Sequence, residues 1–328
     1  MKKKLIISCM LLSSILMFAT ACSPKLAQIP SEEMSALTDN KFEKILGETR
    51  IMSANVLVDI KGWGGEPTPD RANRMALATK HYKPDVIGAQ EFCASWYSKF
   101  MPMVKDDGYQ VIKEKYSLFT ENRSPIIFNT KTLNLLEHGI KKYSQGDNNG
   151  CRVASWAVFE RKDDKKVFAV VSTHLDLIRK GKEDAELAIM MSQVEELNEQ
   201  VKAIVDKNSC PVVITGDFNC MEERAEYLVS DYHGAVSVVD SANSVYKKLC
   251  ESYTDAKYVK GLKKHDIGGG LLPNGAWDSP VWDHIFFTGK AKPQSFATLS
   301  SVFFQRNEDT DTNRLSDHLL IFSDFLFE

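Results

Sequence analysis

The chain has 328 residues, with 41 Lys and Arg against 44 Asp and Glu, a formal net charge of −3. Loss of the three lysines at positions 2–4 takes that balance from −3 to −6, which argues against a general nucleic-acid binder, since those carry a basic excess. None of the seven cysteines belongs to a CxxC pair or a Cys/His cluster, which argues against zinc.

The chain opens with Lys2-Lys3-Lys4, a mostly apolar run from Leu5 to Phe18, and Ala19-Thr20-Ala21-Cys22. This is the tripartite shape of a secretory signal, and the small residues ahead of Cys22 suit bacterial lipoprotein cleavage. The apolar run is shorter than the roughly 18 residues of a membrane span. The expectation is a signal over residues 1–22, a lipid on Cys22, a polar tether over 23–47, and an exported protein held on the membrane of a bacterial cell envelope. Residues 48–328 then form one domain, long for a single core but within the range of sheet-rich folds. Five cysteines remain in it, Cys93, Cys151, Cys210, Cys220 and Cys250, read mainly as buried thiols.

What recurs along this domain is a short β-rich apolar run that ends in polar residues. Strands are predicted at 50–58, 85–91, 124–129, 153–160, 167–176, 211–219, 282–288 and 319–327, each bounded by turn or charged residues. Helices alternate with them: one over 70–82, set between Pro69 and Pro84, and one over 187–204, where Leu187, Met190, Val194, Leu197, Val201 and Ile204 step by three and four. Strands that are apolar on both faces are covered on both faces. The predicted fold is therefore α/β (α+β), two packed β-sheets flanked by helices.

The polar residues gather at strand ends. Asn55 interrupts the first strand, and Gln90-Glu91 closes the second. His174 and Asp176 end "VVSTHLD" two residues apart, on one face. Asp217 and Asn219 end "VVITGDFN" with the same spacing, Asp283 opens "DHIFFT", and Ser316-Asp317-His318 precedes the last strand. His284 points away from Asp283 by alternation and reads as structural or as part of the rim. Each cluster alone fits a hydrogen-bonded structural role equally well. Together they bring oxygen ligands and imidazoles, without thiolate, to one rim. That set suits Mg²⁺ or Mn²⁺, and a hard cation beside a histidine base suits hydrolysis of a phosphate ester.

In chain order, "SANV", "GAQE", "STHLD", "TGDFN", "WDHIF" and "LSDH" resemble the endonuclease/exonuclease/phosphatase superfamily, whose DNase I-like fold is a four-layer sandwich. The resemblance covers about residues 48–328 and implies roles residue by residue. Glu91 would hold the divalent ion, with Asn55 beside it and Asp317 near the metal or the phosphate. Asp217 and Asn219 would orient water and phosphate, and Asp283 would fix the tautomer of His318, the general base. His174 would stabilise phosphoryl oxygens or help the leaving group. Arg152, in "CRVASWAVF", and Asp176 are candidates for contact with the substrate, while Trp156 reads as core. The chain departs from the family in having Ser172 at the head of "STH", Leu177 where a second His is common, and Val281-Trp282 where an Arg often stands. Abasic-site endonucleases of this family usually carry Tyr where His174 stands.

Acidity and export favour a small or lipid-derived phosphate ester as substrate, with Trp63 and the loop 267–277 shaping its pocket. An extracellular nuclease is the alternative and would need a groove built on Lys113, Lys115, Lys263 and Lys264. The expected state is a monomer.

Overall fold

The computed structural model describes residues 43–59, 68–147, 150–221, 236–266, 282–299, 315–316 and 318–328. Cys22, Trp63, the loop 267–277 and Asp317 lie outside the described residues, as does the side chain of Lys264. In chain order the described strands are β1 (Thr49–Asn55), β2 (Val86–Gln90), β3 (Tyr109–Val111), β4 (Ile126–Asn129), β5 (Leu133–Lys142), β6 (Val153–Arg161), β7 (Val167–His174), β8 (Val212–Asp217), β9 (Thr254–Asp255), β10 (Lys263–Asp266), β11 (Asp283–Thr288), β12 (Ala291–Thr298) and β13 (Ile321–Phe327). The helices are α1 (Thr68–Tyr82), α2 (Ala94–Lys99), α3 (Met101–Val104), α4 (Glu183–Asn208) and α5 (Val236–Cys250).

Among the described residues the strands form two mixed sheets. One runs β10-β12-β13-β1-β2-β4-β3 and the other β5-β6-β7-β8-β11-β9. Strand alternation explains why the central strands are apolar throughout. Ile51, Val86, Val170, Val213, Ile285 and Ile321 belong to a core shared by the two sheets. Their neighbours Met52, Ile87 and Phe322 join a second core with Met75 of α1, Trp96 of α2 and Phe100 between α2 and α3. On the far side Val171, Ile214 and Phe286 meet Met190, Val194 and Leu197 of α4 and Val245 of α5. Helix, sheet, sheet and helix thus stack as four layers around three cores, and every residue of those cores lies at position 51 or beyond.

All eight predicted strands form, with ends shifted by at most three residues. The sequence reading missed β3, β5, β9, β10 and β12. Two of them, β3 and β9, are short edges. The long edge strand β5 carries Asn134, Glu137, His138, Lys141 and Lys142, charge that guards an open edge. A bulge at Pro293–Ser295 breaks the alternation of β12.

A buried ion pair fixes the frame. Arg50 on β1 grips Asp324 on β13 with two bonds, Nε to Oδ1 at 2.7 Å and Nη2 to Oδ2 at 2.9 Å. Its Nη1 donates to the Tyr82 carbonyl at the end of α1, at 2.7 Å. A planar guanidinium holding a carboxylate in this two-pronged way sets orientation as well as distance.

Towards the mouth of the sandwich the facing residues become small and polar. Ser53 pairs with Gly88 in one sheet, and Ser172 with Thr215 in the other. The Ser172 hydroxyl donates across the gap to the Ala89 carbonyl at 3.1 Å. A Cβ placed on Gly88 would stand 1.9 Å from Thr215 Oγ1 and 3.1 Å from Ser172 Cβ, so this close approach depends on glycine. Gly88→Ala is expected to lower stability by about 1–3 kcal/mol through overpacking, read from urea unfolding. A Thr215→Ala change in the same chain should recover part of that loss.

Candidate active site

One pleat beyond the small-residue layer, each central strand turns a polar side chain into the inter-sheet space. Asn55 pairs in register with Gln90, and Asp217 pairs with His174 on one side and Asp283 on the other. These residues share strand parity with Ile51, Val86, Val170, Val213 and Ile285, so the rule that packs the central core also aims the polar groups. Asn55, Gln90, His174, Asp217 and Asp283 are all buried. Polar groups this dry need partners: Asn55 and His174 meet Asp217, Gln90 reaches the Gly88 carbonyl and Ser172, and Asp283 meets His318.

Asp217 is the centre of the array. Its Oδ2 accepts from Asn55 Nδ2 at 2.9 Å across the sheets, lies 3.2 Å from His174 Nε2 and 3.7 Å from His318 Nε2. Its Oδ1 accepts from the Asn219 amide N–H at 2.9 Å. Asn219 sits at φ 46°, in the left-handed region, where asparagine is tolerated better than most residues. That turn places its Nδ2 3.2 Å from His174 Nε2 and 3.0 Å from the Leu175 carbonyl, to which it donates.

Glu91 follows β2 with φ 58°, so the chain turns sharply and its carboxylate swings back to the mouth. Oε2 accepts from the Val58 N–H at 2.8 Å and Oε1 lies 3.3 Å from Asn55 Nδ2. Glu91, His174 and Asp217 each offer one ligand atom, all within 4.8 Å of one another. This acid/imidazole cluster has the oxygen-rich donors of a site for a hard divalent cation.

His318 completes the other side. Its Nδ1 lies 2.5 Å from Asp283 Oδ2, and its backbone N–H donates to Ser316 Oγ at 3.2 Å. An N–H at Nδ1 facing a buried carboxylate turns Nε2 towards Asp217, where it carries a proton in the charged ring and a lone pair in the neutral one. Burial pushes the Asp283 carboxyl above its usual pKa, and the neighbouring His318 pulls it back. Burial opposes the charge on Asp217, yet His174 and His318 hold its pKa well below the usual carboxylate range. Burial and the Arg152 cation press on His174, but the Asp217 carboxylate outweighs them and raises its pKa to about 9.

Arg152 and Asp176 lie beside this array rather than facing its centre. Both are buried. Arg152 Nη1 donates to the Leu175 carbonyl at 2.6 Å and Nη2 lies 3.4 Å from Asp176 Oδ1, while the Asp176 N–H donates to Gln193 Oε1 at 2.8 Å. The pair braces the segment that carries His174. Trp156 lies at the edge of the outer core under α4.

Two supports escaped the sequence reading as parts of the site. Gln90 Nε2 reaches Ser172 Oγ at 3.3 Å and joins the sheets; its parity with Gly88 was the available signal. His284 points away from the centre but lies with Nδ1 3.0 Å from Asp255 Oδ2 and Nε2 3.2 Å from the Cys220 carbonyl. Both neighbours are acceptors, so both ring nitrogens donate, and the buried ring fixes the residue that follows Asn219. Its pKa is raised well above the ordinary value: burial opposes the charge, but Cys220 and Asp255 overcome it.

A double-sheet sandwich with a buried Asp/His/Glu array at one mouth defines a hydrolase of phosphoric esters. The sequence profile of the Endonuclease/Exonuclease/phosphatase family matches residues 52–318, and the chain belongs to that family. No curated protein matches the chain in sequence. Solved structures of the same fold include an endonuclease/exonuclease/phosphatase from Bacteroides vulgatus, at 18% identity over 86% of this chain and 99% of that one, TM-score 0.63. A mannosyl-6-phosphatase from Bacteroides thetaiotaomicron is similar at 18% identity over 85% of this chain and 100% of its own, TM-score 0.60. The human Nocturnin catalytic domain with a bound sulfate anion is similar at 19% identity, over 86% and 95% of the two chains, TM-score 0.59. At these identities the likeness is one of fold.

With a folded-state pKa of about 9 against an ordinary 6.5, His174 is an imidazolium at neutral pH in the metal-free protein. Its contribution to stability is fully present below pH 6.5 and is lost as pH rises through about 9. NMR titration of the ring signals should give a midpoint near pH 9 without divalent cation, moving down as Mg²⁺ or Mn²⁺ is added. A metal-free midpoint at or below 6.5 would contradict this electrostatic picture.

Proposed function

We propose that the chain is a divalent-metal-dependent phosphoesterase of the bacterial cell envelope, anchored through Cys22, which hydrolyses a small or lipid-derived phosphate ester by in-line attack of water. The observation that carries this reading is the convergence of Asn55, His174 and His318 on one oxygen, Asp217 Oδ2, with Asp283 behind His318. Glu91 and Asn55, with Asp317, would hold Mg²⁺ or Mn²⁺, and the carboxylates of Glu91 and Asp217, close together at the mouth, fit a hard cation. The cation would neutralise charge on the phosphoryl group.

The residues of the chain supply the rest. Asp283 keeps the proton of His318 on Nδ1, so Nε2 is the base that takes a proton from the attacking water. Asp217, anchored by Asn55 and by the Asn219 amide, holds that water from the opposite side. His174, beside the buried Asp217 carboxylate, faces the phosphoryl oxygens and gives a proton towards the departing oxygen. Asn219, fastened to the Leu175 carbonyl, offers its amide to the phosphate.

The net charge of −3 supports a small or lipid-derived ester over a nucleic acid. A mannosyl-6-phosphatase of the same fold supports a small phosphate ester. Arg152 and Asp176 act in this reading through the position of His174.

The test is a panel of sugar phosphates, inositol phosphates, nucleotides, sphingomyelin and supercoiled plasmid, each with Mg²⁺ or with EDTA. His318→Ala should lower kcat/KM about 10²–10⁴-fold, the usual worth of a positioned base, and EDTA should abolish turnover. Turnover indifferent to both would sink the mechanism, and nicking of plasmid alone would make the protein a nuclease. For the anchor, Cys22→Ser should move the expressed chain from the membrane fraction to the soluble one. An unchanged distribution would remove the lipid from the account.

A further inference from the structure

Between β3 and β4 the chain turns through Ser117–Thr120 with two large apolar side chains in water. Leu118 is 86% exposed and Phe119 95%. The turn is well tied. Ser117 N–H donates to the Thr120 carbonyl at 3.0 Å, and Ser117 Oγ accepts from the N–H groups of Phe119 and Thr120 at 3.2 and 3.0 Å. Lys115 and Glu121 close its base as a β-bridge. A capped turn that holds its two largest apolar groups outward displays them.

The base of the turn is fastened to the segment after Glu91. Ala94 N–H donates to Glu121 Oε1 at 3.3 Å, Phe92 N–H to the Arg123 carbonyl at 2.9 Å, and Tyr97 Oη to the Asn122 carbonyl at 2.9 Å. Leu118 and Phe119 therefore have a fixed place relative to the metal-ligand cluster.

The surrounding charge is one-sided in what it leaves free. Lys113 and Lys115 line the same surface hollow as Leu118 and Phe119, and Lys105 and Lys113 line the adjoining one. All three lysines are exposed, and among the described residues their ammonium groups have no ion-pair partner. The acids flanking Lys113 and Lys115 are engaged: Glu114 binds His138 at 2.6 Å, and Glu121 holds the Ala94 N–H and lies 3.6 Å from Arg123.

Apolar groups held out beside unpaired ammonium groups match a surface with anionic headgroups outside and acyl chains beneath. A single-stranded nucleic acid would use the lysines and stack on Phe119 but gives an aliphatic Leu118 nothing to do. A second copy of the chain would find two large apolar side chains on a four-residue turn, where a stable interface takes about 20–30 residues a side. We propose that the turn over 115–121 docks the protein onto an anionic phospholipid bilayer, with Leu118 and Phe119 at the acyl boundary and Lys113 and Lys115 among the headgroups. Docking turns the Glu91 side of the sandwich towards the membrane. The surface is independent of which ester the active site hydrolyses.

The test uses the chain from residue 23, which holds all three cores and lacks Cys22, so that no attached lipid contributes. It is sedimented with vesicles of equimolar phosphatidylglycerol and phosphatidylcholine, and with phosphatidylcholine alone. The wild type should bind the anionic vesicles and bind neutral ones about tenfold more weakly. The Leu118→Ser/Phe119→Ser variant should lose about tenfold or more in partitioning onto the anionic vesicles, with an unchanged thermal melt. Lys113→Gln/Lys115→Gln should lose binding to anionic vesicles only. Equal sedimentation of wild type and both variants would overturn the proposal. So would a Leu118→Ser/Phe119→Ser variant that keeps its vesicle binding while losing a single-stranded oligonucleotide or dissociating a dimer.

Discussion

One oxygen atom, Asp217 Oδ2, organises the mouth of this protein. It is buried, it belongs to a carboxylate held ionised, and it meets an amide from the opposite sheet and two imidazoles, one at the end of β7 and one just ahead of β13. An unpaired carboxylate at this depth would be prohibitively costly, so these neighbours are required for the fold as well as for chemistry. The charge on Asp217 raises the pKa of His174 in the metal-free protein, and His318 is aimed because Asp283 stands behind it. Structure and reactivity at this rim are one electrostatic arrangement.

That arrangement exists because the two sheets come close at one end. Phenylalanines such as Phe159, Phe168 and Phe325 separate them deep in the sandwich, whereas Gly88, Ser53, Ser172 and Thr215 let them converge near the mouth. The taper brings Asn55 of one sheet within a hydrogen bond of Asp217 in the other. The apolar core and the polar array are successive layers of one side-chain register.

Much of this was legible in the sequence. A run such as "VVITGDFN" carries its own parity: Val213, Thr215 and Asp217 face one way, Ile214 and Phe218 the other, so the face of the acid followed from the faces of its apolar neighbours. The order of "GAQE", "GDFN" and "SDH" carried the family. What the sequence did not disclose was contact between distant strands. The engagement of Arg152 with Leu175 and Asp176, the bridge from Gln90 to Ser172, and the hold of His284 on Cys220 all depend on which strands lie side by side, and no local pattern encodes that. The polar edge β5 and the bulged β12 escaped for another reason: their alternation is diluted or broken where pairing and neighbours, rather than propensity, decide the conformation.

The Arg50–Asp324 pair joins residues 274 positions apart, and it sets the order in which the protein can become active. Strand β1 lies between β2, its near neighbour in sequence, and β13, its most distant one. Before β13 arrives, β1 is an open edge, Arg50 is a cation without its counter-charge, and His318, just ahead of β13, has no fixed place beside Asp283. Contacts of such long sequence separation form late and slowly, because loop closure is costly. His318, the proposed general base, is therefore delivered by the same event that completes the first sheet, and a chain folded short of that event lacks the His318–Asp283 pair.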